Sequence, residues 1–208
     1  MSATAQTASG AFRFGTVILA AGESARMGTP KQLLAVEGRA LVLRAVEAAL
    51  ASAAWPVVVV LGAHAEKIRP LFARLPVLVV ENPAWSEGMA ASIRAGVTTL
   101  RQFSRQLDAA VVALCDQPAF SAGVIAQLVA AQRTTGRSIV AAHYGGRNGA
   151  PALFLRDHFE TLTHLTGEEG ARALLNGSPD RVTAVNLPAL ALDLDTPADY
   201  AALTKDTP

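Results

Sequence analysis

The side chains best suited to chemistry fall in a few short segments of the chain. Leu19-Ala20-Ala21-Gly22 is followed by Glu23-Ser24-Ala25-Arg26-Met27-Gly28-Thr29-Pro30-Lys31. Glycine and small residues let backbone N–H groups close on an anion, and Arg26 and Lys31 add positive charge, so the segment reads as a triphosphate cradle. It matches neither familiar glycine motif: GxGxxG spacing is absent, and Lys31 trails Gly28 by three positions instead of following it directly. On spacing alone, an ordinary turn with two solvated cations fits equally well. Further along, Ala110-Val111-Val112-Ala113-Leu114-Cys115 leads into Asp116. A carboxylate ending a buried apolar strand is costly unless a cation or hydrogen bonds compensate it, which makes Asp116 a metal-ligand candidate. The plainer alternative is a cap for a helix starting near Ser121. In Leu192-Asp193-Leu194-Asp195 the two carboxylates are two apart, a spacing that puts both on one face of a strand, where a shared cation would offset the like charges. Thr196 reads as the cap of a helix from Pro197. In Trp85-Ser86-Glu87-Gly88-Met89-Ala90-Ala91-Ser92, Gly88 would let a flat base lie against the backbone and Ser92 offers a hydroxyl. A core tryptophan and an uninvolved helix-start serine would explain the same string.

Other chemistries have less support. His64, His143, His158 and His164 form no zinc-ligand spacing, no G-x-S-x-G elbow is present, and Cys115 reads as a small apolar filler.

The elements that must position these residues alternate. Valine-rich runs at Gly15–Ala20, Pro56–Leu61, Val77–Val80, Ala109–Leu114 and Ser138–His143 read as buried parallel strands. Between them, Ala40–Ser52, His64–Ala73, Met89–Gln102 and Ala122–Thr135 read as helices. The pattern predicts an α/β fold, a three-layer doubly wound, mostly parallel sheet, with ligands outside the carboxyl ends of its strands. After Tyr144 the alternation weakens. Gly145–Pro151 reads as a turn-rich loop, with a strand at Ala152–Leu155, helical pieces over Asp157–Asn176, a strand at Leu190–Leu194 and a closing helix from Pro197. This departure reads as a small antiparallel insertion carrying the acceptor site.

Composition bounds the rest. The 208 residues are enough for one sizeable core, read as a flexible tail over residues 1–14 and a single domain over 15–208. With 18 Lys and Arg against 17 Asp and Glu, the net charge of +1 supplies no field for nucleic acid or an anionic membrane. The apolar runs fall far short of the roughly 20 residues of a membrane helix. One cysteine and no signal-peptide pattern predict a cytoplasmic protein.

Taken together, the segments resemble the MobA-like nucleotidyltransferases, whose first-loop signature L-A-A-G-x-x-x-R-M-G-x-x-K is matched at every fixed position. Asn82 to Ser92 is similar to the N-P-x-W-x-x-G-M-x-x-S stretch of the molybdenum cofactor cytidylyltransferase branch, and Leu192 to Asp199 resembles its L-D-I-D-T-P-x-D ending. The resemblance runs from about Thr16 to Leu203. It implies a Mg2+-dependent enzyme that transfers CMP from CTP to the terminal phosphate of a molybdopterin-type cofactor and releases pyrophosphate. Lys31, Arg26 and Asp116 are its catalytic residues by this likeness. Leu19, Ala20, Ala21, Gly22, Gly28, Lys31, Gly88 and Ser92 hold the nucleotide, and Asp116 with Asp195 the metal. Gly149, Arg172 and Asp193 meet the acceptor. The LAAG form resembles enzymes using pyrimidine triphosphates, whereas the guanylyltransferase branch tends to carry a further glycine. A cofactor chaperone or an apo molybdenum hydroxylase is the implied recipient. The chain departs from the pattern at Ala150, where a histidine is expected before the proline, and at Glu168, where aspartate is usual. A nucleotidyltransferase for another phosphorylated metabolite, or a non-catalytic nucleotide-binding module, are the competing readings.

Overall fold

A computed structural model describes residues 11–177 and 180–205. The strands are β1 (Phe14–Ala20), β2 (Ala35–Val36), β3 (Arg39–Ala40), β4 (Val57–Leu61), β5 (Leu78–Glu81), β6 (Ala109–Leu114), β7 (Ile139–Tyr144), β8 (Arg147–Leu155) and β9 (Val182–Asn186). The helices are α1 (Leu41–Leu50), α2 (Ala65–Ile68), α3 (Met89–Phe103), α4 (Ala122–Thr135), α5 (Phe159–Thr163), α6 (Arg172–Asn176) and α7 (Pro197–Lys205).

Seven strands form one sheet in the order β5-β4-β1-β6-β8-β7-β9, and β2 pairs with β3 in a separate small antiparallel hairpin. All neighbours in the large sheet run parallel except β8, which is antiparallel to both β6 and β7. The predicted mostly parallel α/β sheet with an antiparallel insertion is therefore present.

Strand side chains alternate between two core layers because successive Cβ atoms point to opposite faces. Ile18, Val59 and Val111 join Val42 and Val46 of α1 and Ile125 and Leu128 of α4 on one side. On the other, Val17, Val58, Val60 and Val112 pack with Ile93, Val97 and Leu100 of α3 and Phe159 and Leu162 of α5. Helix α3 lies close on the sheet at Gly96, where an added Cβ would sit 2.3 Å from Val17 Cγ1. The cap of α4 is Ser121, whose hydroxyl accepts from Val124 N, and not Asp116.

Four sequence readings change. Gly145–Pro151 is not mainly loop: the turn is confined to Gly145 and Gly146, both at positive φ, and β8 already pairs from Arg147. The helix read at His64–Ala73 divides into α2 and a tighter 3-10 turn, Arg69–Phe72, with Pro70 near its start. The strand read at Leu190–Leu194 is absent: Pro188–Ala191 is a 3-10 turn, and β9 takes the sheet edge instead. The Leu-Asp alternation belongs to a strap across the strand ends. Leu194 N–H donates to Asp116 O at 3.2 Å, and the fully buried Leu194 packs on Val36 and Leu41. Finally, the chain engages the core before residue 15: β1 starts at Phe14, Phe12 packs on the first core layer and Arg13 N–H bonds Asp108. The rest of the expected tail, residues 1–10, lies outside the described residues. No helix among the described residues is long and apolar enough to cross a membrane.

Candidate functional site

The chain leaves β1 for β4 on one side and later returns with β6 on the other, so the β1/β6 boundary is the topological switch point, where open α/β sheets bind ligands. Parallel pairing sets Leu19 beside Leu114, which brings the Ala20–Lys31 loop and Asp116 to the same crevice.

The loop is held by its own polar groups. Ser24 and Gly28 adopt left-handed backbone at φ 61° and 69°, which bends the chain back so that Ser24 Oγ accepts from Lys31 N at 3.0 Å. Buried Gln32 donates through Nε2 to Ala20 O and Gly22 O, at 3.1 and 2.8 Å, pinning the first turn to the strand end. A Cβ on Gly22 would meet nothing within 4 Å, so its backbone lies open to the crevice.

Lys31 carries the electrostatics. Its ammonium pairs with Asp116 Oδ2 and, at 2.9 Å, with Asp195 Oδ1, while Arg26 donates to Asp195 Oδ2 at 2.8 Å. Burial opposes the Lys31 charge, but the Asp116 charge and hydrogen bond, aided by Asp195, outweigh it and raise its pKa. Asp195 moves the other way: burial pushes its pKa up, yet the hydrogen bond and charge of Lys31, with Arg26, bring it below the usual carboxylate value. Asp193 is different. Burial, then the Asp116 charge, raise it from 3.8 to about 6. Cys115 is buried in the core, and burial followed by the Asp116 charge keeps its thiol protonated.

Two cavities meet at this ion pair. One, of about 370 Å³, is lined by Leu19, Ala20, Ala21, Gly22, Gly88 and Ser92. The other, of about 340 Å³, holds Gly149, Arg172, Asp193 and Asp195. Lys31, Asp116, Leu19 and Leu114 border both, and each volume suits a small ligand. Of the predicted nucleotide residues only Gly28 lies off the first cavity's wall; it shapes the loop instead. The three predicted acceptor residues share the second. Asp193 and Asp195 reach it from the strap and not, as their spacing suggested, from one face of a strand.

Gly88 lines the first cavity at φ 103°, and an added Cβ would lie 2.6 Å from Glu168 Cα, so the Gly167–Glu168 backbone closes the side a larger residue would need. Trp85 is half-buried, packed on the second core layer while lining the first cavity. Gly149 is bare because Tyr144 occupies the space its Cβ would take, with the Tyr144 hydroxyl 2.6 Å away. Thr196 caps α7 as expected, reciprocally with Asp199: Thr196 Oγ1 accepts from Asp199 N, and Asp199 Oδ2 accepts from Thr196 N.

Sequence reasoning missed Gln32, Asn82 and Arg147. Gln32 and Asn82 are buried polar residues whose partners lie at the end of β1, in loops and on α3, and Arg147, in a segment that reads as loop, begins β8 and lines the second cavity.

For a divalent cation the donor chemistry fits. Asp116 Oδ1 and Asp193 Oδ1 are buried without a hydrogen-bond partner among the described residues, and carboxylate oxygens suit Mg2+ or Mn2+. No three such side chains already converge to enclose an ion among the described residues, so phosphate and water oxygens would complete the coordination.

The raised Asp193 pKa has a measurable consequence. The folded state binds its proton more tightly than the unfolded chain, so this group favours folding below pH 3.8, and that contribution is lost as pH rises through about 6. Asp193→Asn removes the cost of the buried charge. After discounting for solvent screening it should raise Tm by about 2–4 °C at pH 7.5 in EDTA, and by much less at pH 4.5. Thermal unfolding at the two pH values checks this; an equal shift at both would refute the assignment.

The sheet order, the Gly22–Lys31 loop after β1 and the two cavities joined at a Lys–Asp pair define an α/β domain of nucleotidyltransferase type. The chain belongs to the MobA-like NTP transferase domain family, whose model matches residues 16–183. A nicotine blue oxidoreductase from Paenarthrobacter nicotinovorans is 34% identical over 173 residues, 78% of this chain and 81% of that protein. The Rv0371c protein of Mycobacterium tuberculosis H37Rv has a crystal structure 28% identical to this chain, with TM-score 0.78 over 94% of this chain and 100% of that one. A crystal structure of Rv0371c in complex with manganese is 27% identical, with TM-score 0.73, covering 93% and 98%.

Proposed function

We propose that the chain transfers CMP from CTP to the terminal phosphate of a molybdopterin-type molybdenum cofactor. The observation that supports this reading best is the meeting of two ligand-sized cavities at Lys31 and Asp116, because group transfer needs donor and acceptor on either side of one charged centre. The nucleotide lies in the Leu19–Ser92 cavity with its triphosphate on the Gly22–Lys31 loop, and the acceptor phosphate enters between Arg172 and Asp193.

An oxygen of the acceptor phosphate attacks the α-phosphorus in line; the new P–O bond forms as the bond to the β-phosphate oxygen breaks, and pyrophosphate leaves. No protein nucleophile takes part. Lys31 and the loop N–H groups offset charge on the triphosphate, and Arg26 positions Asp195 from the exposed side. Asp116 and Asp195 are the residues that would hold Mg2+, which when bound neutralises charge on the reacting phosphate oxygens. The manganese complex of Rv0371c supports use of a divalent ion. The product would pass to a chaperone or an apo molybdenum hydroxylase.

A second reading follows from the relative named as a nicotine blue oxidoreductase: the second cavity, with Ile93, Ala152, Phe154 and Leu175 in its lining, would take an oxidoreductase substrate. Pyrophosphate release separates the two. With magnesium and purified molybdenum cofactor, release is expected with CTP and not with GTP, ATP or UTP. Release with another triphosphate would overturn the base assignment. Absence of release with all four, together with turnover of nicotine blue, would favour the second reading.

A further inference from the structure

Asn82 and Ser92 form a buried pair to which the transfer scheme gives no joint role. Each is only 5% exposed; Asn82 directly follows β5, and Ser92 lies in the first turn of α3 on the wall of the nucleotide cavity. Asn82 Oδ1 accepts the Ala84 backbone N–H at 3.1 Å. A backbone N–H can bond only to an acceptor, so this contact fixes which end of the amide is oxygen. The amide nitrogen is then the atom 3.1 Å from Ser92 Oγ. An NH2 group only donates, so Ser92 Oγ must accept, and its single hydrogen is turned away from Asn82. No acceptor among the described residues takes that hydrogen, not even the carbonyl one turn back, which Thr99 uses in the same helix.

We propose that Asn82 sets the direction of the Ser92 hydroxyl so that it donates into the nucleotide cavity, and that this selects a base edge offering a lone pair. The O2/N3 edge of cytosine offers two; on the corresponding edge of guanine only O6 offers one, beside N1–H and N2–H2 groups that present hydrogens and need an acceptor. Asn82 is thus a positioning residue for base choice. The inference rests on the proposal that this cavity holds the nucleotide, and it names the device by which the cavity prefers cytosine to guanine.

Asn82→Asp tests it. The variant keeps an oxygen for Ala84 N–H but replaces the NH2 with a carboxylate oxygen, which accepts the Ser92 O–H and turns the hydroxyl round. Dissociation constants of CTP and GTP with magnesium, measured by titration calorimetry on the whole chain at pH 8, give a ratio in which general repulsion of triphosphate cancels. The preference for CTP over GTP is expected to fall about ten-fold, the size of one hydrogen bond or about 1.4 kcal/mol. Ser92→Ala alone should lower the ratio similarly, and adding Asn82→Asp to it should change the ratio no further, since no hydroxyl remains to be turned. An unchanged ratio in either single variant, or an equal fall on adding Asn82→Asp with and without Ser92, overturns the inference. A wild-type chain that prefers GTP overturns the cytidine reading and this inference together, whereas a wild-type preference for CTP that survives in the variants overturns this inference alone.

Discussion

Asp116→Asn should lower kcat for pyrophosphate release by about 10³-fold while leaving the fold intact, a loss typical of removing a group that stabilises charge in the transition state. The side chain is nearly isosteric, and the neighbouring backbone is anchored independently: Cys115 N–H donates to Leu19 O and Leu194 N–H to Asp116 O, and neither bond involves the carboxylate. What is lost is charge. Asp116 is 8% exposed, one of its oxygens pairs with Lys31 and the other is buried without a partner among the described residues, so the carboxylate both holds the ammonium and offers a hard oxygen to a cation. An amide offers neither at comparable strength. Circular dichroism and thermal unfolding establish that the variant is folded, and the turnover rate with saturating CTP and magnesium decides the prediction. Near-normal turnover in a folded variant would remove Asp116 from the reacting centre.

Much of this site is readable in the chain because its groups end elements with strong periodicity. The valine runs that became β1, β4 and β6 place Leu19 and Asp116 at strand ends, and Gly22, Arg26 and Lys31 follow within one loop. The readings that failed did so for physical reasons. Leu190–Leu194 alternates like a strand because a strap that buries Leu194 between two aspartates needs the same two-residue period. In contrast, β9 is short and only half-buried at the sheet edge, so its pattern gave no contrast between faces. At Gly88 the sequence does not show that the Glu168 backbone, from a segment some eighty residues away, fills the place a Cβ would take. Gln32 and Asn82 are buried polar residues that look like solvated surface in a sequence; only folding shows that the carbonyls of Ala20 and Gly22 and the N–H of Ala84 satisfy them.

Lys31→Ala should reverse the roles of cation and lysine at the centre. In the present structure the ammonium sits between Asp116 and Asp195, with Asp193 adding a third carboxylate to the same cavity wall. Removing it leaves Arg26, which among the described residues bonds only Asp195 and from the exposed side, so the buried Asp116 charge loses its counterion. Breaking a buried pair from one side costs about 3–5 kcal/mol, and partial solvent access here brings the expectation to roughly 2 kcal/mol, a Tm lowered by about 4–8 °C in EDTA. A divalent ion can then occupy the space the ammonium held. Millimolar manganese should therefore restore much of the lost Tm in the variant while shifting the wild type less. Activity should not return with it: the ion replaces the charge on the carboxylates but not the donor aimed at the triphosphate, so kcat/KM for CTP stays about 10²-fold down. Thermal unfolding with and without manganese, paired with the CTP dependence of pyrophosphate release, separates the two roles. If the CTP dependence is unchanged, Lys31 serves only to balance the carboxylates; if manganese stabilises both proteins equally, the ion does not compete for the place that Lys31 fills.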